Sequence, residues 1–205
     1  MVEEHFSTLE RIHKAAKKEF LEKGFKSASL RNIVKSVGMT TGAFYGYYKS
    51  KEELFDNLVC EHYDFILNRF NNAQRYFKQL PYQKQPEVMG EVSGACMFDI
   101  LYYIYEHLEE CKLLICCSEG TRFAGLIEEM VQIEVESTHA YQDVLNELGR
   151  PSPPIDSTLE HILTTGMFHT FFELVIHEMP LENAENYVKA MRDFYTAGWM
   201  KIMGQ

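Results

Sequence analysis

A short stretch of the chain, residues 40–51, combines hydroxyl groups and bases with two glycines. Its sequence is TTGAFYGYYKSK. Hydroxyl and ammonium groups are side-chain donors that commonly contact nucleic-acid phosphates. Residues with small side chains allow a helix to approach a ligand closely. The stretch therefore predicts a DNA-binding surface, with Thr41, Gly42, Tyr45, Tyr47 and Lys49 on its outer face.

Two short helices joined by a tight turn must position this surface. Apolar residues recur at helical spacing from Leu30 to Val37. Gly38 follows, where a helix end requires a left-handed residue. Thr40 can cap the next helix, which we predict over residues 41–47. This arrangement is a helix-turn-helix.

Charge is divided unequally along the chain. Residues 1–51 hold ten Lys and Arg and five Asp and Glu, a net charge of +5. Residues 52–205 carry a net charge of −15, which gives −10 for the whole chain. Such asymmetry is typical of a protein with one nucleic-acid-binding end. The acidic remainder repels DNA, so only the N-terminal end is expected to contact it.

The chain as a whole is predicted to be all-α, with about nine helices and no strand. Capping boxes at Ser7–Glu10, Ser50–Glu53 and Ser157–Glu160 predict the starts of helices 1, 4 and 8. Gly24 is expected to end helix 1. Helix 4 is predicted to cover about residues 50–78, and the segment PYQKQP (residues 81–86) marks a break.

The first 58 residues resemble the TetR family of bacterial transcriptional regulators. The matching strings are IxxAAxxxF from Ile12, SLRNIV from Ser29, and VGMTTGAFYGYYKSKEELF, which ends at Phe55. The resemblance implies a homodimer that binds a palindromic operator in double-stranded DNA. It also implies a DNA-binding domain over residues 1–51, joined through helix 4 to an effector-binding and dimerisation domain over residues 52–205.

The resemblance assigns DNA contacts only to residues inside the matching strings. These are Ser29, Arg31, Thr40, Thr41, Gly42, Ala43, Tyr45, Tyr47 and Lys51. Family members often carry Lys or Arg where Thr41 stands, so the usual bidentate contact to guanine is missing. Base recognition is then expected to depend on the methyl groups of Thr41 and Ala43, on Arg31, and on DNA shape. The alternative role for Tyr45, Tyr47 and Tyr48 is packing within the domain, which we favour for Tyr48.

Apolar side chains of helices 5 to 8 are candidates for the wall of an effector cavity. They are Met97, Phe98, Tyr102, Tyr105, Phe123, Met130, Tyr141, Phe168 and Phe172. An acid turned inward, Glu119, Glu128 or Glu134, would favour a cationic effector, although surface acids also serve solubility. The resemblance places a dimer interface on helices 8 and 9, with Phe171, Val175, Met191, Phe194, Tyr195 and Trp199.

Two further clusters suggest sensing chemistry. Cys111, Cys116 and Cys117 are candidates for a redox sensor, although free cysteines are commonly buried as small apolar residues. His169, Glu173 and His177 share one helix face and could offer a metal-binding surface, but interfacial histidines are commoner. We predict no metal site and no cofactor. We also predict no enzymatic activity, because motifs such as GxSxG and HExxH are absent.

The sequence therefore predicts a ligand-responsive, DNA-binding transcriptional regulator. The predicted action is repression, relieved when a small apolar or amphipathic effector releases the operator. The alternatives are a helical interaction protein with a degenerate helix-turn-helix, and the redox sensor. With no membrane-spanning segment and no N-terminal apolar block, a cytoplasmic protein is expected. The operator, the effector and the regulated genes remain open, as does the choice between repression and activation.

Overall fold

A computed structural model describes residues 7–205, and within that range it is built from helices without strands. The nine α-helices are α1 Thr8–Ser27, α2 Leu30–Ser36, α3 Thr41–Phe44, α4 Lys51–Gln79, α5 Gln85–Glu106, α6 Leu108–Cys116, α7 Leu126–Glu147, α8 Ser157–Ile176 and α9 Leu181–Ile202. A 3₁₀ turn, Tyr82–Lys84, precedes α5. The all-α prediction is confirmed. No helix in residues 7–205 has the length and apolar character required to cross a lipid bilayer.

The chain forms two compact units. The first comprises the described residues up to Asp64 together with His107–Ala124, and the second comprises Phe65–Glu106 together with Gly125–Gln205. Helix α4 therefore contributes residues to both units. The inclusion of α6 in the first unit was not foreseen from the sequence. The predicted domain boundary after residue 51 stays a prediction, because compactness does not test which residues bind DNA.

Helix α1 begins as its sequence predicts. The Ser7 hydroxyl accepts a hydrogen bond from the Glu10 amide at 3.2 Å, and the Ser7 amide donates to the Glu10 carboxylate at 2.6 Å. This is the predicted capping box. Gly24, with a φ of 70°, interrupts the helix as expected, but the chain makes a further helical turn through Ser27. That extra turn buries Phe25.

Aromatic rings form the core of the first unit. The Phe20 ring lies 5.0 Å from the Phe55 ring and 5.9 Å from the Phe25 ring, between centroids. The rings of Phe25 and Phe55 are 5.1 Å apart, and Phe123 lies 6.3 Å from Phe55. This cluster joins α1 and α4 to the segment after α6, and it supports the helix-turn-helix.

In the second unit, α7 packs on α8 and α5 packs on α9. One local prediction is wrong there. Helix α8 is capped by Asp156, whose carboxylate accepts from the Leu159 amide at 3.0 Å, and not by a box from Ser157 to Glu160. Glu160 is instead buried, and its Oε2 lies 2.8 Å from His139 Nε2. Asp156 is the better cap because it leaves Glu160 free to face inward.

Candidate functional site

The helix-turn-helix is held together by backbone caps. Arg11 Nη2 donates to the carbonyl oxygen of Val37 at 2.6 Å, where α2 ends. Gly38 adopts the left-handed region with a φ of 71°, as predicted. The Thr40 hydroxyl accepts from the Ala43 amide at 3.2 Å and caps α3. The Ser29 hydroxyl caps α2 in the same way, by accepting from the Asn32 amide at 3.4 Å.

Helix α3 is shorter than predicted. It ends at Phe44 rather than at Tyr47, because the next amides bond three residues back: Gly46 N to Ala43 O at 3.2 Å, and Tyr47 N to Phe44 O at 2.8 Å. The fully buried Phe44 side chain anchors the turn. The outward face is therefore displayed partly by a helix and partly by a tight turn.

Most of the predicted DNA contacts lie on the surface. Arg31, Thr40, Thr41, Gly42, Ala43, Tyr45 and Tyr47 are exposed, and Ser29 is half-buried. Tyr45 and Tyr47 are 54% and 46% exposed. Within residues 7–205 no hydrogen bond engages either hydroxyl. The two hydroxyl groups do not stabilise the described part of the domain through hydrogen bonds, so they are available to an external partner.

Tyr48 differs from its two neighbours. It is 7% exposed, its hydroxyl donates to Asn57 Oδ1 at 2.9 Å, and His13 Nε2 lies 2.5 Å from the same hydroxyl. Burial raises the pKa of Tyr48 and lowers the pKa of His13. These contacts agree with the packing role that we favoured for Tyr48.

The fold of the protein does not require a glycine at position 42. The φ of Gly42 is not in the left-handed region. A methyl group built on Gly42 would meet nothing closer than Thr40 Oγ1, at 4.0 Å. Glycine is unfavourable inside a helix relative to alanine by about 0.5–1 kcal/mol. Because Gly42 has no side chain, no side-chain atoms project from this position of α3, and an external molecule can approach the helix closely.

Lys51 has a role that the sequence did not reveal. Its Nζ donates to the carbonyl oxygens of Phe25 at 2.6 Å and Ala28 at 3.1 Å, and it lies 4.4 Å from the centroid of the Phe25 ring. The ammonium group thus caps the carboxyl end of α1. Its predicted phosphate contact stays a prediction, since the side chain is occupied within the domain.

The positive charge of the N-terminal end is only partly available to DNA. Lys17 binds Glu109 and Glu110 at 2.7 and 2.8 Å, and Lys26 binds Glu119 at 2.6 Å. Exposed cations without an ion pair to any other described residue include Arg31, Lys35 and Lys49. They lie on or near the helix-turn-helix and leave its surface positive.

The second unit contains a cavity of about 140 Å³, lined by α4, α5, α7, α8 and α9. Three of the predicted effector-binding residues line it: Met97, Tyr141 and Phe168. Further lining residues were not predicted as such, among them Gln74, Phe171, Arg192, Trp199 and Met203. Of the three acids considered as turned inward, Glu134 lines the cavity. Helical periodicity could have singled out Glu134, which precedes Thr138 and Tyr141 on one face of α7.

The other six predicted effector-binding residues lie outside the cavity. Phe123 belongs to the ring cluster of the first unit, and Met130 and Phe172 are fully buried in the core of the second. Phe98 packs beside Tyr102, with the ring centroids 6.2 Å apart. The Tyr102 hydroxyl donates to Glu185, and the Tyr105 hydroxyl donates to the carbonyl oxygen of Met179.

Comparison with known proteins identifies the N-terminal part of the chain. Residues 12–58 match the tetR family of bacterial regulatory proteins. The HTH-type transcriptional regulator YdgC of Bacillus subtilis is 43% identical over 51 residues, which are 25% of this chain and 26% of YdgC. The HTH-type transcriptional regulator UidR of Escherichia coli K12 is 38% identical over 63 residues, 31% of this chain and 32% of UidR.

The N-terminal segment of the chain therefore resembles the tetR family. The matched segment covers only about a quarter to a third of these relatives, and it lies in the part of the chain that holds the helix-turn-helix. The fold of the chain is similar to that of SCO3833, a member of the TetR transcriptional regulator family from Streptomyces coelicolor A3. That structure matches 94% of this chain and 89% of its own, with a TM-score of 0.55 and 15% identity. At this identity the likeness describes the fold alone.

The predicted dimer residues fall into three groups. Phe171 and Val175 are buried within the single chain, and their place in a dimer interface stays a prediction. Met191, Tyr195 and Trp199 line the cavity. Phe194 is 73% exposed on α9. Sequence reasoning missed the exposed apolar residues Leu159, Ile162, Ile176 and Tyr187, because burial cannot be read from residue type alone.

The candidate sensing clusters have ordinary surroundings. Burial raises the pKa of Cys111 to about 12 and that of Cys117 to about 11, so both are thiols at neutral pH. His177 Nε2 lies 3.0 Å from the Glu173 carboxylate in an exposed pair on α8. Among residues 7–205, no group of three His, Cys, Asp or Glu residues is arranged to hold a metal ion.

Proposed function

We propose that this chain is a homodimeric DNA-binding transcriptional regulator that releases a palindromic operator when a small apolar or amphipathic effector binds. The face formed by α3 and its following turn contacts DNA. Thr41, Gly42 and Ala43 meet the base edges, and Tyr45 and Tyr47 donate to phosphates. The cavity of the second unit holds the effector, and repression is the action we expect.

The observation that carries the proposal is the face around Gly42. It combines exposed hydroxyl groups without internal partners, unpaired neighbouring cations, and a glycine that its fold does not require. Each feature is unnecessary or slightly unfavourable for folding. Together they suit a surface that approaches an anionic ligand closely, as a DNA-contacting helix must.

Effector control is proposed to act through α4. Phe70, Gln74 and Phe77 of this helix line the cavity, and Lys51 at its start binds the carboxyl end of α1. Two operator-bound recognition helices need a separation of about 34–36 Å. Effector binding shifts α4 and thereby disfavours that separation. The expected coupling free energy is about 1–3 kcal/mol, or roughly 5- to 150-fold in operator affinity.

A test begins with selection of an operator from random 30-base-pair duplexes, followed by measurement of affinity for the selected DNA. We expect specific binding whose affinity falls steeply with salt, since phosphate contacts release counterions. The Gly42→Ala variant should melt at a temperature equal to or above that of the wild type, because alanine favours the helix. Its methyl group should nevertheless lower operator affinity at least tenfold.

Gly166→Ala is the matched control. Gly166 lies inside α8, where an added methyl group would meet Tyr195 Oη at 3.9 Å, an ordinary contact. This variant should match Gly42→Ala in stability and keep wild-type affinity for the operator. Equal operator affinity of the Gly42→Ala variant and the wild type would contradict the proposed interface. Failure to select any duplex would favour a helical interaction protein with a degenerate helix-turn-helix.

A further inference from the structure

Charge is distributed unequally over the wall of the cavity in the second unit. Among the described residues that line it, two carry charge: Glu134 on α7 and Arg192 on α9. Arg192 already has an anionic partner, because its Nε and Nη2 donate to Asp193 Oδ1 at 3.0 and 2.8 Å. The stem of Arg192 lies tightly over Gly94, where an added Cβ would be 2.9 Å from Arg192 Cδ. The positive charge of the wall is thus compensated and its position restrained.

Glu134 has no such compensation. Within residues 7–205 its hydrogen-bond partner is the neutral amide of Gln74, whose Nε2 donates to Glu134 Oε2 at 2.6 Å. Burial of the carboxyl group raises the pKa of Glu134 to about 7; the Gln74 hydrogen bond opposes this rise, and the charge of Glu160 adds to it. Desolvation without a counter-charge is the usual cause of such a shift.

The carboxyl group of Glu160 increases the excess of negative charge around Glu134. Its side chain is fully buried, and its Oε1 has no hydrogen-bond partner in the described part of the chain. Thr164, one turn further along α8, also has a buried hydroxyl without a partner. Buried polar oxygens are normally hydrogen-bonded, so each exception requires an explanation. Neither residue lines the cavity, so a cation bound beside Glu134 would act on Glu160 only through charge.

The rest of the wall is suited to an organic cation rather than to a hydrated metal ion. Aromatic rings surround the cavity, including Phe70, Tyr141, Phe168 and Trp199. The faces of such rings attract ammonium groups, and the attraction strengthens when water is excluded. A volume of about 140 Å³ is close to that of cavities that accept one benzene ring.

We infer that this cavity binds a small organic monocation with a body of about one aromatic ring, and that its ammonium group pairs with the Glu134 carboxylate. The inference rests on the proposed function in taking the cavity as the effector site. An anionic ligand would be repelled by Glu134. A neutral ligand of the same shape would leave that charge buried and unpaired.

The probe is benzyltrimethylammonium, whose charge does not titrate, and its uncharged control is the carbon isostere neopentylbenzene. Calorimetric titration of the full chain at pH 8 should show the cation binding at least tenfold more tightly. Glu134→Gln should weaken cation binding at least tenfold and change isostere binding by less than twofold. Glu128→Gln removes the same charge from an exposed position of α7 and should change neither affinity.

The pH dependence of cation affinity provides a second readout, which a merely structural role of Glu134 would not produce. Since the proton must leave Glu134 before the cation pairs with it, affinity for the cation should fall about tenfold from pH 8 to pH 6. Other titratable or charged groups facing Glu134 or lining the same wall are Glu160 with its partner His139, Cys96, Tyr141, Tyr195 and Arg192. These groups remain in the Glu134→Gln variant, so any pH dependence of cation affinity that persists in that variant arises from them.

The outcomes separate this inference from the proposed function. Absence of cation binding, equal binding of cation and isostere, or unchanged cation affinity in Glu134→Gln would each overturn the inference. If neopentylbenzene alone binds and releases the selected operator, the proposed function stands and the inference fails. If the cation binds through Glu134 without changing operator affinity, the ligand class is supported and the proposed control fails. Circular dichroism melting confirms that each variant is folded.

Discussion

Replacement of Glu134 by glutamine should change how the stability of the protein depends on pH. In the folded chain the pKa of Glu134 is raised from 4.5 to about 7, so the folded state holds its proton more tightly than the unfolded state does. Stability linked to this proton is fully present below pH 4.5 and is lost as the pH rises through 7. Glutamine stays neutral and avoids this loss.

The size of the effect follows from the shift. Each pKa unit corresponds to about 1.4 kcal/mol, so the rise corresponds to at most about 3 kcal/mol by pH 8. Near pH 4.5 the wild type and Glu134→Gln should be almost equally stable. At pH 8 the variant should unfold at a higher temperature, by up to about 6–12 °C for a chain of this length. Gln74 can donate to the new amide oxygen, so its hydrogen bond is retained.

The measurement is thermal unfolding followed by circular dichroism at pH 5 and pH 8, at one protein concentration because association would shift the midpoint. Glu128→Gln provides the control for a general change in net charge, since it alters the same helix at an exposed position. A difference between wild type and Glu134→Gln that is the same at both pH values would refute the reasoning. So would a variant less stable than the wild type at pH 8.

Two further predictions concern the helix-turn-helix. Tyr45→Phe and Tyr47→Phe should leave the melting temperature unchanged and should each weaken operator binding by roughly 5- to 30-fold, which corresponds to about 1–2 kcal/mol for one phosphate contact. Tyr48→Phe should lower the melting temperature and leave operator binding unchanged. An equal loss of operator affinity in all three variants would contradict the division between surface and packing tyrosines. Lys51→Met should destabilise the chain by about 1–3 kcal/mol in urea unfolding, because the carbonyl oxygens of Phe25 and Ala28 lose their donor. Unchanged stability of Lys51→Met would show that these carbonyls do not depend on it.

Local sequence predicted most helix ends correctly because caps depend on neighbours within a few residues. Ser7 and Thr40 cap their helices as expected, and Gly38 adopts the left-handed region. The length of α3 was overestimated. Its end is decided by the burial of Phe44 and by the tight turn that follows, and neither is visible as a cap in the sequence.

The sequence also identified the outward face of the helix-turn-helix, because a short helix cannot bury hydroxyl, small and basic residues on the same side. It could not show that Lys51 binds carbonyl oxygens at the end of α1, since those residues are more than twenty positions away. For the same reason it could not divide the basic residues into those paired with acids, such as Lys17 and Lys26, and those left on the surface.

For this chain, the sequence by itself determined the all-α class, the position of the helix-turn-helix and the family that its N-terminal end resembles. These follow from local periodicity, capping and motif spacing, which neighbouring residues specify. Tertiary structure alone decided which apolar residues surround the cavity and which of the acids faces it. That choice depends on how five helices meet, and Glu134 became distinctive only because their packing partly desolvates its carboxyl group without supplying a cation.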